Sequence, residues 1–216
     1  MKKFAFLALC LPLLSAPVLA AEEEEVAEIT ANLDYIYQMH DDGYIMCPTQ
    51  TAVGLVATND RASEIYLFKD GKMTTLFSGP DCGRYTTLNA DRTKMGIKLI
   101  DNSGYQAPAI LDLTTGKVEQ LSPYSEQCGM VSFAADGTYA YSDIYDLVVV
   151  RNGEKQVYDL GHYVNIANLS QDGKRIAYAS YEGYPIIMDL TTGKEKYLSD
   201  EDDMFINLWS PDCNKV

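Results

Sequence analysis

Few side chains in this sequence are of a type that could carry out covalent chemistry. The only histidines are His40 and His162, and a histidine base needs a nucleophile within hydrogen-bond reach. No G-x-S-x-G segment occurs, so the nucleophile elbow of an α/β-hydrolase is absent from the sequence. No partner can be named for His162, which follows Gly161 in a predicted loop. The sequence therefore predicts no catalytic residues and a satisfied or solvated His162.

Ligands for a metal ion are also few. The run SDEDD at 199–203 has enough carboxylates to bind Ca²⁺, but it lacks the spacing and the turn glycine of an EF-hand loop. The cysteines contain no C-x-x-C pair of the kind that binds zinc. We expect no cofactor and a solvated acidic loop, with calcium at 199–203 as the alternative.

Residues 1–20 have the pattern of a signal peptide. Lys2 and Lys3 precede an apolar core at 4–14, and Val18 and Ala20 supply the small residues of a cleavage site. The core is shorter than the roughly 20 apolar residues that span a bilayer. The sequence predicts an exported protein, periplasmic or secreted, with no transmembrane segment.

The segment at 21–43 reads as an acidic leader. It contains EEEE at 22–25 and a stretch, LDYIYQM at 33–39, that could form a stray strand. A lipid anchor at Cys10 is disfavoured because Leu9 precedes it, where a small residue is expected.

The charge is strongly negative. The chain has 17 basic and 31 acidic residues, a formal net charge of −14. Removal of the predicted signal takes two lysines and no acids, which leaves 15 basic and 31 acidic residues, or −16. Phosphate backbones require a basic face, so nucleic acid is excluded as a partner. Anionic lipid surfaces are disfavoured for the same reason.

The elements that must position these residues are short strands in a repeated unit. The string DLTTGK occurs at 112–117 and again at 189–194, and an aspartate follows each predicted first strand in LNADR, FAADG, LSQDG and WSPDC. These aspartates, Asp91, Asp136, Asp172 and Asp212, lie 45, 36 and 40 residues apart. The units cover about 44–80, 84–123, 129–161 and 164–199, with a partial unit at 204–216.

The clearest unit divides into four strands, at 165–169, 175–180, 185–190 and 195–198. Gly173 supplies the positive φ of the first turn, while Asp70-Gly71 and Asn152-Gly153 are typical of tight hairpins. Four strands in about 40 residues, repeated, indicate a β-propeller. The sequence predicts an all-β fold of four-stranded antiparallel blades, with about four blades and the start of a fifth.

The repeat resembles the TolB-like β-propeller repeat, which also builds the propeller of prolyl-oligopeptidase-type peptidases. The resemblance covers about 44–216 and is strongest over 166–216, in SQDGKRIAYAS, YPIIMDLTTGKEKYLS and WSPDCNKV. The sequence departs from the repeat pattern where Gln50 and Thr51 replace the Asp and the Gly of the first unit. It also departs where Arg92 and Cys213 replace the turn glycine of their units. The resemblance implies a propeller in the cell envelope, commonly a binding scaffold, and it supplies no catalytic residues.

Cysteine pairing is predicted from the repeat register. Four cysteines remain after the predicted signal, and an even number in an exported chain favours disulfides. Cys82 and Cys128 both lie between the last strand of one unit and the first of the next, which favours their pairing. A Cys47–Cys213 pair is weaker because it requires the first and last inner strands to be close. Free buried thiols are the alternative.

Tyrosines mark a candidate recognition face. Tyr105, Tyr145, Tyr181 and Tyr184 lie in the loops between the second and third strands of successive units. Those loops share one face of a propeller, and tyrosine gives large contact area at low entropy cost. We expect a protein, a peptide or an envelope glycan to bind there. The alternative is that tyrosine is simply a favourable strand residue.

Two functions follow as hypotheses. The first is an exported, non-catalytic propeller that acts as a binding scaffold. The second is the propeller part of an exported prolyl-oligopeptidase-type serine peptidase with its catalytic domain beyond residue 216. Because the unit at 204–216 has only its first strand, we expect a longer parent and an incomplete ring.

Overall fold

The computed structural model describes residues 45–59, 61–200, 209–210 and 212–216, with side chains from residue 49 onward. The predicted signal peptide, the acidic leader, His40 and most of the fifth unit's first strand lie outside these residues. Within the described part of the chain, all regular structure is β-strand.

The described residues form sixteen strands in four antiparallel sheets, which we call blades 1 to 4 in chain order. Blade 1 contains β1 (Ile45–Gln50), β2 (Leu55–Asn59), β3 (Glu64–Lys69) and β4 (Lys72–Ser78). Blade 2 contains β5 (Thr87–Leu88), β6 (Lys94–Ile100), β7 (Gln106–Asp112) and β8 (Val118–Gln120). Blade 3 contains β9 (Ser132–Phe133), β10 (Tyr139–Asp143), β11 (Asp146–Arg151) and β12 (Glu154–Asp159). Blade 4 contains β13 (Ala167–Leu169), β14 (Arg175–Ala179), β15 (Pro185–Asp189) and β16 (Lys194–Tyr197).

Within each blade the strands pair in chain order, so the first strand lies at one edge and the fourth at the other. The second and third strands carry most of the buried residues, while the fourth is largely exposed, as in β12 and β16. The four strands predicted for the unit at 165–198 agree with blade 4 to within two residues at each end. The predicted all-β fold of four-stranded antiparallel blades is confirmed.

The repeated aspartates hold the turn between the first and second strands. In each of four turns the carboxylate Oδ1 accepts the backbone N–H two residues later, at 2.9 to 3.1 Å; the aspartates are Asp91, Asp136, Asp172 and Asp212. Arg92 and Cys213, which replace the turn glycine, keep a left-handed φ of 55° and 58°. The two departures from the repeat therefore preserve the turn.

The turns between the third and fourth strands follow the sequence prediction. Asp70-Gly71 and Asn152-Gly153 are two-residue connections with positive φ at both positions, which matches the right-handed twist of the paired strands. In the two DLTTGK copies, Asp112 and Asp189 each accept the next two threonine N–H groups at 2.8 to 2.9 Å. Identical sequence thus gives identical turns.

The core lies between neighbouring blades rather than within one. One apolar cluster joins blades 1 and 2, including Ile65 and Ile97. A second joins blades 2 and 3, including Ile110 and Val131, and a third joins blades 3 and 4, including Ala140, Leu147, Ile176 and Tyr178. Within the described residues the four blades do not close into a ring.

Candidate functional site

The predicted tyrosines lie in the loops between the second and third strands of blades 2, 3 and 4. Because the second strands run in the same direction in each blade, these loops emerge on one face. Tyr145 occupies a two-residue turn with Ile144, and its side chain is 55% exposed. Tyr181 is 83% exposed at the tip of the blade 4 loop, which Ser180 holds by accepting the Tyr184 N–H on its hydroxyl.

Blades 3 and 4 enclose a cleft of about 820 Å³ on this face. Tyr145 comes from blade 3, His162 from the connection between the blades, and Tyr181 from blade 4. Glu182 follows Tyr181, and Glu195 and Tyr197 come from β16. We call this the tyrosine cleft.

The structure brings together two of the four predicted tyrosines. Tyr145 and Tyr181 both line the cleft. Tyr184 packs behind it, with its ring edge-on to Tyr197 at a centroid distance of 6.3 Å. Tyr105 lies in blade 2, where Asp101 accepts its backbone N–H at 2.9 Å, and does not line the cleft.

The charge of the tyrosine cleft is negative. Among the described residues, its lining contains the carboxylates of Glu182 and Glu195 and no lysine or arginine. The Tyr178 hydroxyl donates to Glu195 Oε1 at 2.5 Å. Burial, together with that hydrogen bond, raises the pKa of Tyr178, so the phenol keeps its proton and Glu195 stays an acceptor. The cleft therefore favours cationic or neutral polar ligands over anions.

His162 is held by the fold. Its Nδ1 lies 2.9 Å from the Leu160 carbonyl oxygen, which only accepts, so Nδ1 carries the proton and donates. In the neutral ring Nε2 then presents a lone pair, and this atom is buried and has no hydrogen-bond partner among the described residues. In the part of the chain that the structure describes, no nucleophile lies within hydrogen-bond distance of Nε2.

Sequence reasoning did not identify His162, Glu195 or Tyr197 as neighbours of the predicted tyrosines. The two β16 residues belong to the exposed fourth strand, and their contribution depends on how blade 4 lies against blade 3. No local pattern carries that information.

The predicted Cys82–Cys128 disulfide is not formed in the structure. Cys82 is buried in the apolar cluster between blades 1 and 2. Cys128 is also buried, and its backbone pairs with that of Asp143 in blade 3 as an isolated β-bridge. Cys213 is also a buried free thiol, and the side chain of its predicted partner Cys47 lies outside the described residues. The two pairings remain predictions. Most of the acidic run at 199–203 also lies outside the described residues.

No protein-family model matches the chain, and no curated protein matches it significantly. Solved structures, by contrast, match the fold of this chain. TolB from Acinetobacter baumannii superposes with a TM-score of 0.53 at 21% identity, covering 74% of this chain and 45% of that one. A candidate TolB from Agrobacterium tumefaciens gives 0.56 at 14% identity, covering 74% and 63%.

The tricorn protease gives a TM-score of 0.53 at 14% identity, covering 81% of this chain and 19% of that chain. The chain thus spans less than two thirds of the length of each of these three structures. In the described part of the chain, no helix has the length and apolarity needed to cross a membrane. The described residues have the fold of a TolB-like β-propeller, and the likeness to these structures is one of fold alone.

Proposed function

We propose that this protein is an exported, non-catalytic β-propeller that binds a protein, a peptide or an envelope glycan in the cell envelope. The observation that carries the proposal is the tyrosine cleft. It opens on the face that carries the tyrosine loops, and its volume of about 820 Å³ lies within the roughly 300–1,000 Å³ of ordinary ligand sites.

The side chains of the cleft suit recognition better than reaction. Tyr145, Tyr181 and Tyr197 are all more than half exposed, so a ligand can cover large amphipathic rings that have few rotatable bonds to order. The carboxylates add hydrogen-bond acceptors for amines or sugar hydroxyls. Export is supported by the signal-peptide pattern at 1–20.

The peptidase hypothesis is tested separately. Its support is the fold likeness to the propeller-containing tricorn protease, which says nothing about chemistry in this chain. The purified 216-residue chain is expected to hydrolyse neither peptide nor ester substrates. Robust hydrolysis that persists through repeated purification would contradict the non-catalytic assignment. Coding sequence for a G-x-S-x-G segment downstream of Val216 would favour the peptidase as the parent.

Replacing both Tyr145 and Tyr181 with serine should remove most of the binding to the tyrosine cleft. Each ring is exposed, so the melting temperature should change by no more than about 2 °C, while loss of two aromatic contacts should cost at least about 2 kcal/mol of binding free energy. The measurement compares wild-type and variant protein in capture from periplasmic extract, quantified by mass spectrometry.

The matched control replaces both Tyr105 and Tyr124 with serine. These side chains are 44% and 43% exposed and lie outside the cleft. This variant should capture the same partners as wild type. Equal capture by all three proteins would show that the tyrosine cleft is not the recognition site.

A further inference from the structure

Lys98 is a buried cation at the meeting point of two blades that are not neighbours in sequence. It lies on β6 of blade 2 and is only 4% exposed. Its Nζ donates to Asn165 Oδ1 at a distance of 2.8 Å. Asn165 comes 67 residues later in the sequence and precedes the first strand of blade 4. The same Nζ lies 5.0 Å from the centroid of the Tyr85 ring.

The charge of Lys98 has no counter-charge in the described part of the protein. Among the described residues, no carboxylate oxygen forms an ion pair with Nζ within 4.0 Å. Burial accordingly lowers the pKa of the ammonium below its ordinary value. One amide oxygen and one aromatic face leave part of the three-donor capacity of an ammonium unused, and burying an uncompensated charge is costly. This is the situation that an anionic ligand would relieve.

A cavity of about 300 Å³ adjoins this ammonium. Lys98, Tyr85, Gln106 and Asn165 line it, together with Arg84 and Asp81, which pair with each other at 3.8 Å. The described residues of the lining include two cations and one carboxylate, which gives a formal charge of +1. This local excess of positive charge stands in a chain whose net charge is −14.

We propose that this cavity binds a carboxylate, with Lys98 Nζ as its principal donor. A singly charged anion matches the formal +1 of the lining. Inorganic phosphate near neutral pH is a mixture of its singly and doubly charged forms, and the doubly charged form would leave excess negative charge beside Asp81. The described linings of this cavity and of the tyrosine cleft share Tyr163, but Lys98 lies outside the cleft, and Tyr145 and Tyr181 lie outside this cavity. The variants that test the two proposals therefore report on different sites.

The test titrates the full 216-residue chain with N-acetyl-alanine and with N-acetyl-alanine amide, monitored by two-dimensional NMR. N-acetyl-alanine carries a terminal carboxylate and should give saturable shifts, while the amide should give none. N-acetyl-glutamate α-amide, which carries only a side-chain carboxylate, shows whether a peptide C-terminus or an acidic side chain is the better source. Tighter binding of phosphate than of either carboxylate would overturn the assignment.

Lys98→Met should weaken carboxylate binding at least about tenfold, because it removes a charged donor at nearly constant volume. The control is Lys155→Met. Lys155 also packs on a tyrosine ring, Tyr141, at 5.9 Å and donates to the Leu121 carbonyl at 3.1 Å, but it lies outside this cavity. Lys155→Met should leave the affinity for the carboxylate ligand within about twofold of the wild-type value. Equal affinity of wild type and Lys98→Met would overturn the proposal.

The ligand-free protein gives a second readout. Replacing an uncompensated buried charge by an apolar side chain of similar size is often neutral or stabilising. The Tyr163 hydroxyl lies 3.1 Å from Asn165 Oδ1 and 3.0 Å from the Cys128 carbonyl oxygen, so its single proton can turn to Asn165 Oδ1 when the lysine is gone. Lys98→Met should therefore melt at or above the wild-type temperature without ligand. A large fall would show that the fold itself supplies the counter-charge, which contradicts the proposal.

Discussion

Raising the pH from 9 to 11 under reducing conditions should lower the free energy of unfolding, and two buried thiols should account for about 4 kcal/mol of that loss. Cys82 and Cys128 are 1% and 0% exposed, and burial raises the pKa of each thiol from 9.0 to about 11. The unfolded thiols lose their protons near pH 9, whereas the folded ones keep them until about pH 11. Their contribution to stability is therefore complete below pH 9 and is lost as the pH rises to 11. Tyr163 and Tyr178, whose pKa values burial also raises, add to this loss, while Lys98, whose pKa burial lowers, opposes it.

Urea denaturation at pH 7, 9 and 11 measures the effect. The control is the double variant Cys82→Ala, Cys128→Ala, which starts less stable and whose alkaline loss should be smaller by about 4 kcal/mol because the thiols no longer contribute. The same experiment without reductant tests the predicted disulfide, because bonded cysteines have no thiol proton to lose. Equal alkaline losses in the reduced wild type and the double variant would rule out the thiols as the cause.

Gly129→Ala should destabilise the protein by about 3 kcal/mol, at the upper end of ordinary overpacking. An added Cβ would overlap Oγ of Ser142 and lie 2.6 Å and 3.0 Å from the carbonyl oxygens of Val164 and Asn165. The two carbonyls are backbone atoms of the segment that enters blade 4, so they cannot rotate away. The Gly129 N–H also donates to the Ser142 carbonyl at 2.9 Å, which fixes the glycine in place.

The matched control is Gly137→Ala. An added Cβ at Gly137 would meet nothing within 4 Å, and only its φ of 88° opposes the change. This backbone strain should cost about 1 kcal/mol. Chemical denaturation of both variants separates crowding between blades from strain in a turn. Similar losses in the two proteins would mean that blades 3 and 4 are not tightly packed at Gly129.

The blade architecture was predictable because local chemistry specifies it. A side-chain oxygen that accepts the N–H two residues later defines a turn wherever it occurs, and Asp91, Asp136 and Asp172 all do this. Strands that are joined by such short turns pair with their neighbours in chain order. Arg92 could not be assigned from its type, since a left-handed φ at a non-glycine residue is imposed by the surrounding blade.

The candidate sites were predictable only in part. Tyr145 and Tyr181 are loop residues whose exposure follows from their position in the repeat. Glu195 joins them because blade 4 packs against blade 3, which no short pattern encodes. Lys98 looks like an ordinary residue in a strand of alternating character, and its burial depends on a segment 67 residues away. The Cys82–Cys128 pairing placed both residues correctly in connections between blades, but Cys82 lies in the apolar cluster of blades 1 and 2, whereas the backbone of Cys128 pairs with Asp143 of blade 3.

The bonds between blades also determine the order in which the molecule can assemble. Most of these hydrogen bonds join residues about one repeat unit apart in the sequence. The separation is 44 residues from Thr87 to Val131, 37 from Ser132 to Leu169, and 41 from Asn168 to Trp209. A growing chain adds about 5–20 residues per second, so each new blade can dock on the last within several seconds of its emergence. The contact from Lys98 to Asn165 skips a blade. The cavity beside Lys98 can therefore form only after the segment that enters blade 4 has been synthesised, which is later than the contact between Thr87 and Val131.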